Sequence, residues 1–333
     1  MKTLKLKGPS LTGLGGVIVA GFIGSTCFAA AAQAATPAVE RLQQEWRTAI
    51  AKTPTPGSGC YTATYPLTLW RQVECVKAPD RPYLPASGGG HAQTVGDGHD
   101  YAAGTATLTS AAVGSFPKAK HLLSESDDGQ NVYSIQLNSN FMSGDQACST
   151  AFNPGNCLGW LQYVYSSSSH AAFMQYWLIH YSGGSVHCPG GWNSFSDDCY
   201  KNSSATGVPQ EPITDLPKIS LSGSAVHAGL DTLKFMDGTN AYSTTGQDSV
   251  MFLADGWNAS EFNVIGDGGG SQANFNVGTA LSVEIDVTDG TADAPTCQAN
   301  AGTTGETNNL NLKKCTASGG ATPKISFKEV LKK

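Results

Sequence analysis

The sequence predicts an all-β protein: a two-sheet antiparallel β-sandwich of jelly-roll or concanavalin-like kind, with a short helical segment at its N-terminal end. Short runs rich in β-branched and aromatic residues recur along most of the chain, bounded by turn residues. A convincing helical period occurs only once after the leader. Charged residues make up 14% of the chain, against roughly 25% in an average domain. Glycine, serine, threonine and asparagine take their place, as suits an extracellular β protein.

The elements follow in chain order. Residues 1–34 read as a signal peptide. Lys2, Lys5 and Lys7 precede an apolar stretch from Leu11 to Ala32, and Ala32-Gln33-Ala34 is a small-x-small cleavage site. Cleavage near Ala34 predicts a secreted, extracellular or periplasmic protein. Cys27 follows Ser25-Thr26, a poor lipidation context, and no later stretch is long and apolar enough to span a membrane. Residues 35–90 form an N-terminal segment. In "PAVERLQQEWRTAIAK", Val39, Leu42, Trp46, Ala49 and Ile50 recur at helical spacing, with Thr36 as cap and Pro37 in the first turn. A small unit with Cys60 and Cys75 follows, then "APDRPYLPASGGG", which reads as a linker.

Residues 91–333 form the predicted sandwich. Strands are expected at 131–139, 158–166, 171–181, 218–226 and 280–287. In the last, Leu281, Val283, Ile285 and Val287 alternate with Ser282, Glu284 and Asp286, so one face is core and the other wet. Between 158 and 181 both faces are apolar or aromatic, as in the middle of a sheet whose one face lines a groove.

The mature chain keeps eight cysteines, an even number that in an exported protein reads as disulfides. Sequential pairing brackets the shortest turn-rich segments: Cys60–Cys75, Cys148–Cys157, Cys188–Cys199 and Cys297–Cys315. A zinc site needs closely spaced Cys/His pairs, and only His187-Cys188 comes near. Without the leader's three lysines, 17 basic residues face 26 acidic ones, which disfavours nucleic acid as a partner. Residues 35–90 hold six basic and four acidic residues, so a mildly basic segment precedes an acidic body. A monomer without cofactor is expected.

The glycine-rich "GDGGG" of "EFNVIGDGGGSQANF" is not a phosphate loop: strand, not helix, follows it, and no Lys-Ser/Thr is present. It reads as a tight turn using positive φ, after which the next strand pairs beside the first. Glu261 is two residues before Asn263, so the two share a strand face while Phe262 and Val264 point into a core. Gln136, Gln162 and Gln175 each interrupt an apolar or aromatic strand. Gln162 shares a face with Trp160 and Val164, and Gln175 with Phe173, Trp177 and Ile179. Each amide is either satisfied by its neighbours or faces a groove and holds a ligand carbonyl. Glu284 and Asp286 read as solvated, as do His91, His99 and Asp100 in their glycine-rich loop. "GDGHD" lacks the alternating ligands of a calcium loop, and Ser166–Ser169 with His170 reads as a polar turn.

"GWLQYVYS", "AFMQYWLIHY" and "ASEFNVIGDGGGSQANFNVGTALSVEI" together resemble the secreted glutamic peptidases (eqolisins) in the order of their elements over roughly 110–288. "AVGSFP" and "YSIQLNSN" fall where that family has its early strands. The tryptophan- and glycine-rich segment that precedes the family's glutamine is replaced here by "NPGNCLGW". The resemblance implies a sandwich of two bent sheets and metal-independent peptide hydrolysis in acid. Glu261 would be the general base that activates water, Gln162 the oxyanion donor, and Trp160, Gln175, Trp177 and Asn263 the polypeptide-binding residues. It also implies a propeptide, for which residues 35–90 are the candidate. "VGDGHDYAA", "FMQYWLI" and "EFNVIGDGGGSQANF" are also similar, over nearly the whole mature chain, to a group of exported bacterial proteins with no assigned function. Two readings compete with the peptidase. One is a non-enzymatic sandwich binding a polysaccharide or cell-surface polymer, with Trp160, Trp177, Trp192 and Tyr176 stacking on sugars. The other is a structural exported protein.

Overall fold

A computed structural model describes residues 37–87 and 94–332. The signal peptide, Cys27, the Thr36 cap and His91 lie outside the described residues.

Two large sheets form an antiparallel sandwich. The back sheet runs, in spatial order, through Arg71–Val73, Cys60–Thr64, Asn240–Gln247, Leu230–Asp237, Ile219–Ser224, Ala111–Lys120, Ala280–Thr288, Lys324–Val330 and Asn311–Leu312. The second, here the site sheet, runs through Asn193–Phe195, Asp198–Asn202, Ala171–Ile179, Leu158–Ser166, Ser134–Ser139, Ala259–Ile265, Tyr101–Gly104 and Thr296–Ala299. The five strands expected from sequence are all present, to within three residues at their ends. A third, four-stranded sheet lies at one end.

The main core fills the space between the large sheets. Phe116 and Phe262 meet at 4.9 Å, and Tyr165 stacks on Phe235 at 4.2 Å. Close approach needs glycine opposite the largest rings. A Cβ on Gly114 would lie 2.0 Å from the Phe262 ring, and one on Gly223 would lie 2.1 Å from that of Tyr163. The alternation at 280–288 holds: Leu281, Val283, Ile285 and Val287 are buried, and Glu284 pairs with Lys324 at 2.8 Å.

The helix is Pro37–Lys52, on the predicted span. Its C-terminal half does the packing: Trp46 and Ile50 bury against Tyr61, Ala63, Trp70, Met236 and Ala241, while Val39 and Leu42 stay exposed. Lys234 Nζ donates to the carbonyls of Ala51 and Thr53 and closes the helix end. Cys60–Thr64 pairs with Asn240–Gln247, so the N-terminal segment shares the back sheet with the main body.

The four disulfides join sequential neighbours: Cys60–Cys75, Cys148–Cys157, Cys188–Cys199 and Cys297–Cys315. Loops of 9 to 18 residues are closed, a length at which each bridge contributes about 2–4 kcal/mol. Among the described residues no helix is long and apolar enough to cross a membrane.

Two expectations are corrected. Gly268, Gly269 and Gly270 do adopt positive φ, but Gln272–Phe275 after them pairs with Thr307–Asn308 and Glu125–Asp127, not with the Glu261 strand. The turn redirects the chain into the small sheet. The stretch expected as a linker is also no free tether: residues 78–87 run across the outer face of the site sheet, with Ala78 and Tyr83 buried.

Candidate active site

Strand register assembles the site. Across the site sheet, Gln298, Ala102, Glu261, Asn138, Gln162, Gln175 and Asn202 are successive direct partners. Direct partners in an antiparallel ladder share a face, so one polar row crosses seven strands. Phe262 and Val264, one residue out of phase, enter the inter-sheet core. Glu261 and Gln162 therefore do face the same side. One strand separates theirs, so their backbones lie roughly 9–10 Å apart. The amide bonded to Glu261 is that of Asn138 on the intervening strand, with Nδ2 3.1 Å from Oε2. Gln162 Nε2 donates instead to Gln136 Oε1 at 3.0 Å, and Gln162 Oε1 has no partner among the described residues.

Glu261 is 2% exposed, not solvated on an open strand face, and Gln162 is fully buried, as its apolar strand suggested. Residues 302–306 form a strap over them. Glu261 Oε2 accepts from Thr303 N at 2.8 Å, Thr303 Oγ1 at 2.9 Å and Thr304 N at 3.2 Å. Glu261 Oε1 faces Asp100. Gly302 sits over this contact, where a Cβ would lie 2.7 Å from Oε1 and 2.9 Å from Asp100 Cβ.

Asp100, like Asn138 and Glu306, was not among the expected site residues. It was expected to be solvated and is fully buried. Its Oδ1 accepts from Asn263 Nδ2 at 3.0 Å, and its other oxygen is turned to the Glu261 carboxylate. Burial first, then the charges of Glu261 and Glu329, push Asp100 well above the usual carboxylate range. Glu329, bonded to Asn263 and Asn308, is raised to about 7 by burial. Asn263 thus holds two carboxyl groups in place and is not positioned as a peptide-binding residue.

Glu306 ties the parts together. Its Oε1 accepts from Leu84 N at 2.8 Å and Gly270 N at 3.1 Å, and its Oε2 from Thr304 Oγ1 at 2.7 Å and Gln136 Nε2 at 3.3 Å. Burial raises its pKa and these bonds oppose the rise. The glycine loop is part of this joint, since Gly269 N also donates to Pro82 O.

Residues 79–86 lie beside the strap as an arm whose backbone is held by side chains of the row. Asn202 Nδ2 donates to Pro79 O at 2.8 Å, Gln175 Nε2 to Arg81 O at 3.0 Å, and Tyr83 N to Gln175 Oε1 at 2.7 Å. The arm and strap pair as strands do, through Gly305 N to Leu84 O and Ala86 N to Thr303 O. Trp160 and Trp177 cluster beneath Leu84. Both indoles are fully buried and Tyr176 faces the inter-sheet core, so of the four aromatics considered for sugar stacking only Trp192, half-buried, keeps part of its surface open. Of the six expected site residues, Glu261 and Gln162 lie in one row, and Gln175, Trp160 and Trp177 meet the arm.

Away from this face, His180, Asp197 and Asp198 bring ligand atoms within 4.8 Å of one another, with His180 Nδ1 already 2.8 Å from Asp197. No protein-family model matches the chain, and no curated protein or solved structure matches it either.

Proposed function

We propose that the chain is the latent form of an acid-acting peptidase of glutamic type. The observation that carries this reading is the arm: an extended segment with its backbone clasped by Gln175 and Asn202, on the same polar row as the Glu261–Asp100 carboxyl pair. A face that satisfies peptide N–H and C=O groups by side-chain amides is built to hold an extended polypeptide.

In the proposed reaction the strap and arm have withdrawn and a substrate peptide occupies the row. The Glu261 carboxylate takes a proton from water as that water's oxygen bonds to the scissile carbonyl carbon. Amide N–H groups of Asn138 and Gln162 donate to the resulting oxyanion. Collapse breaks the C–N bond, and the proton held by Glu261 passes to the leaving nitrogen. Asp100, protonated against Glu261, holds the carboxylate in orientation. Residues 35–90 act as the propeptide-like segment through the arm, whose removal would uncover the Gln175 and Asn202 end of the row, while the strap 302–306 must lift to open Glu261.

The test is incubation at acid pH with a denatured protein, with and without a chelator, beside a Glu261→Gln control. Cleavage that survives the chelator and is lost in the control supports the reading. Equal cleavage by the control sinks it.

A further inference from the structure

Tyr83 and Leu84, adjacent in an extended segment, splay to opposite sides of Gln175 and fill two different pockets. The Tyr83 ring enters a cluster with Val164, Ala171, Phe173 and Ala205, meeting the Phe173 ring at 5.8 Å. Alanines at two of these positions leave room for a large ring. At the pocket's end the Tyr83 hydroxyl donates to Asp267 Oδ1 at 2.8 Å. Asp267 is itself fixed: its Oδ2 accepts from Ser166 Oγ at 3.1 Å and Ser168 N at 3.2 Å, and Arg81 of the arm pairs with it at 3.6 Å. Leu84 rests on the cluster of Trp160, Trp177, Ile179 and Tyr200.

These features are not what packing alone requires. A purely structural plug would need no buried carboxylate at the end of an apolar pocket, because an unpaired carboxylate there is costly. The pocket discriminates by chemistry: it suits an aromatic ring that ends in a hydrogen-bond donor. Phenylalanine would fill the volume and leave Asp267 Oδ1 without its donor.

We propose that this face is a two-pocket recognition site for extended peptides carrying tyrosine followed by a leucine-sized aliphatic residue, with Tyr83–Leu84 as the chain's own occupant. The proposal rests on the reading of the face as a peptide groove and adds its specificity. Asp267 is then the specificity-determining residue, and the glycine loop that carries it is the wall of the tyrosine pocket.

Binding tests this without any need for turnover. The full chain with Arg81→Ala/Tyr83→Ala loses the two arm side chains that meet Asp267. Its affinity is measured by fluorescence anisotropy for labelled acetyl-Asp-Arg-Pro-Tyr-Leu-Pro-amide and for versions with Phe or Ala in place of Tyr. The Tyr peptide is expected to bind at least about tenfold more tightly than the Phe peptide, the scale of one hydrogen bond to a charged acceptor. The Ala peptide should bind more weakly still. Equal affinity for the Tyr and Ala peptides, or no binding by a double variant that melts like wild type, overturns the proposal whatever the cleavage assay gives. Selective binding with no cleavage leaves the recognition site standing and removes the peptidase. Should the double variant not fold, Tyr83→Phe keeps the ring and serves instead. Amide exchange at 83, 84 and 86 should then quicken by about tenfold or more, and an unchanged rate overturns the proposal.

Discussion

Asn138 Nδ2 donates to Glu261 Oε2 at 3.1 Å from the strand that separates the Glu261 strand from the Gln162 strand. The side-chain amide bonded to the candidate base is therefore that of asparagine. Gln162 reaches the base only through Gln136, which accepts from both amides. Under the proposed mechanism Asn138→Ala should lower kcat by about 10²–10³, the usual loss for one oxyanion donor, with a smaller change in KM. Gln162→Ala should cost less. Steady-state kinetics on a protein substrate decides the order, and a larger loss at Gln162 would return it to the principal role.

Glu261 is also structural. Four donors converge on one of its oxygens, and three of them belong to the strap. Glu261→Ala strands buried N–H groups, each worth about 1–3 kcal/mol when left unpaired. Denaturant unfolding should show a loss of at least about 2 kcal/mol. Glu261→Gln keeps an acceptor oxygen and should lose much less stability while removing the base. Comparable stability for wild type and Glu261→Ala would mean that the strap is not held by this side chain.

Several buried carboxyls make the fold favour acid. Glu125 and Asp231 are raised to about 8 and Glu329 to about 7, in each case mainly by burial, and Asp100 is raised as well. Their unfolded values lie near 4. Between these limits the folded chain binds more protons than the unfolded chain, so stability falls as pH rises. Lys234, depressed to about 8, acts in the opposite sense only above that value. Calorimetry should give a higher Tm at pH 5 than at pH 8. Asp231, whose two oxygens have no partner among the described residues, offers a specific check: Asp231→Asn should raise Tm at pH 8 and change it little at pH 5. A Tm that rises with pH over this range contradicts the account. The same linkage bears on latency. If the chain is the latent form proposed above, Glu306 and Asp100, both raised by burial in the closed arrangement, make that arrangement more stable in acid than at neutral pH.

Much of this was legible in the residues. The alternation Glu261–Phe262–Asn263–Val264 assigns each side chain to a face, and the glutamines inside aromatic strands mark the polar row. The helical stripe placed Trp46 and Ile50 correctly. What periodicity cannot supply is strand order, because a period of two says which face a residue is on and nothing about its neighbours. Asn138 looked ordinary until its strand fell between those of Glu261 and Gln162. Asp100 and Glu306 arrive from irregular segments, whose polar residues are solvated by default. The arm was hidden for the opposite reason: proline and glycine in "APDRPYLPASGGG" signal an extended backbone, which serves equally for a tether and for a peptide lying in a groove.

Gly302 offers the sharpest test of the closed arrangement. It sits where the strap crosses the Glu261–Asp100 contact, and a Cβ there would meet Glu261 Oε1 at 2.7 Å and Asp100 Cβ at 2.9 Å. The carboxylate tip could swing, but Asp100 Cβ is fixed close to the backbone of a buried residue, so the strap itself must lift. Overpacking of this kind costs about 1–3 kcal/mol. Lifting the strap also strains the bonds from Thr303 N and Thr304 N to Glu261 and the pairing of Ala86 N with Thr303 O. In Gly302→Ala, amide exchange at 303, 304 and 86 should accelerate together, while the amides of the back-sheet strand Ala280–Thr288 keep their protection. Acceleration spread evenly over the whole chain would instead indicate global destabilisation, and no change would show that strap, arm and carboxyl pair are not one coupled unit.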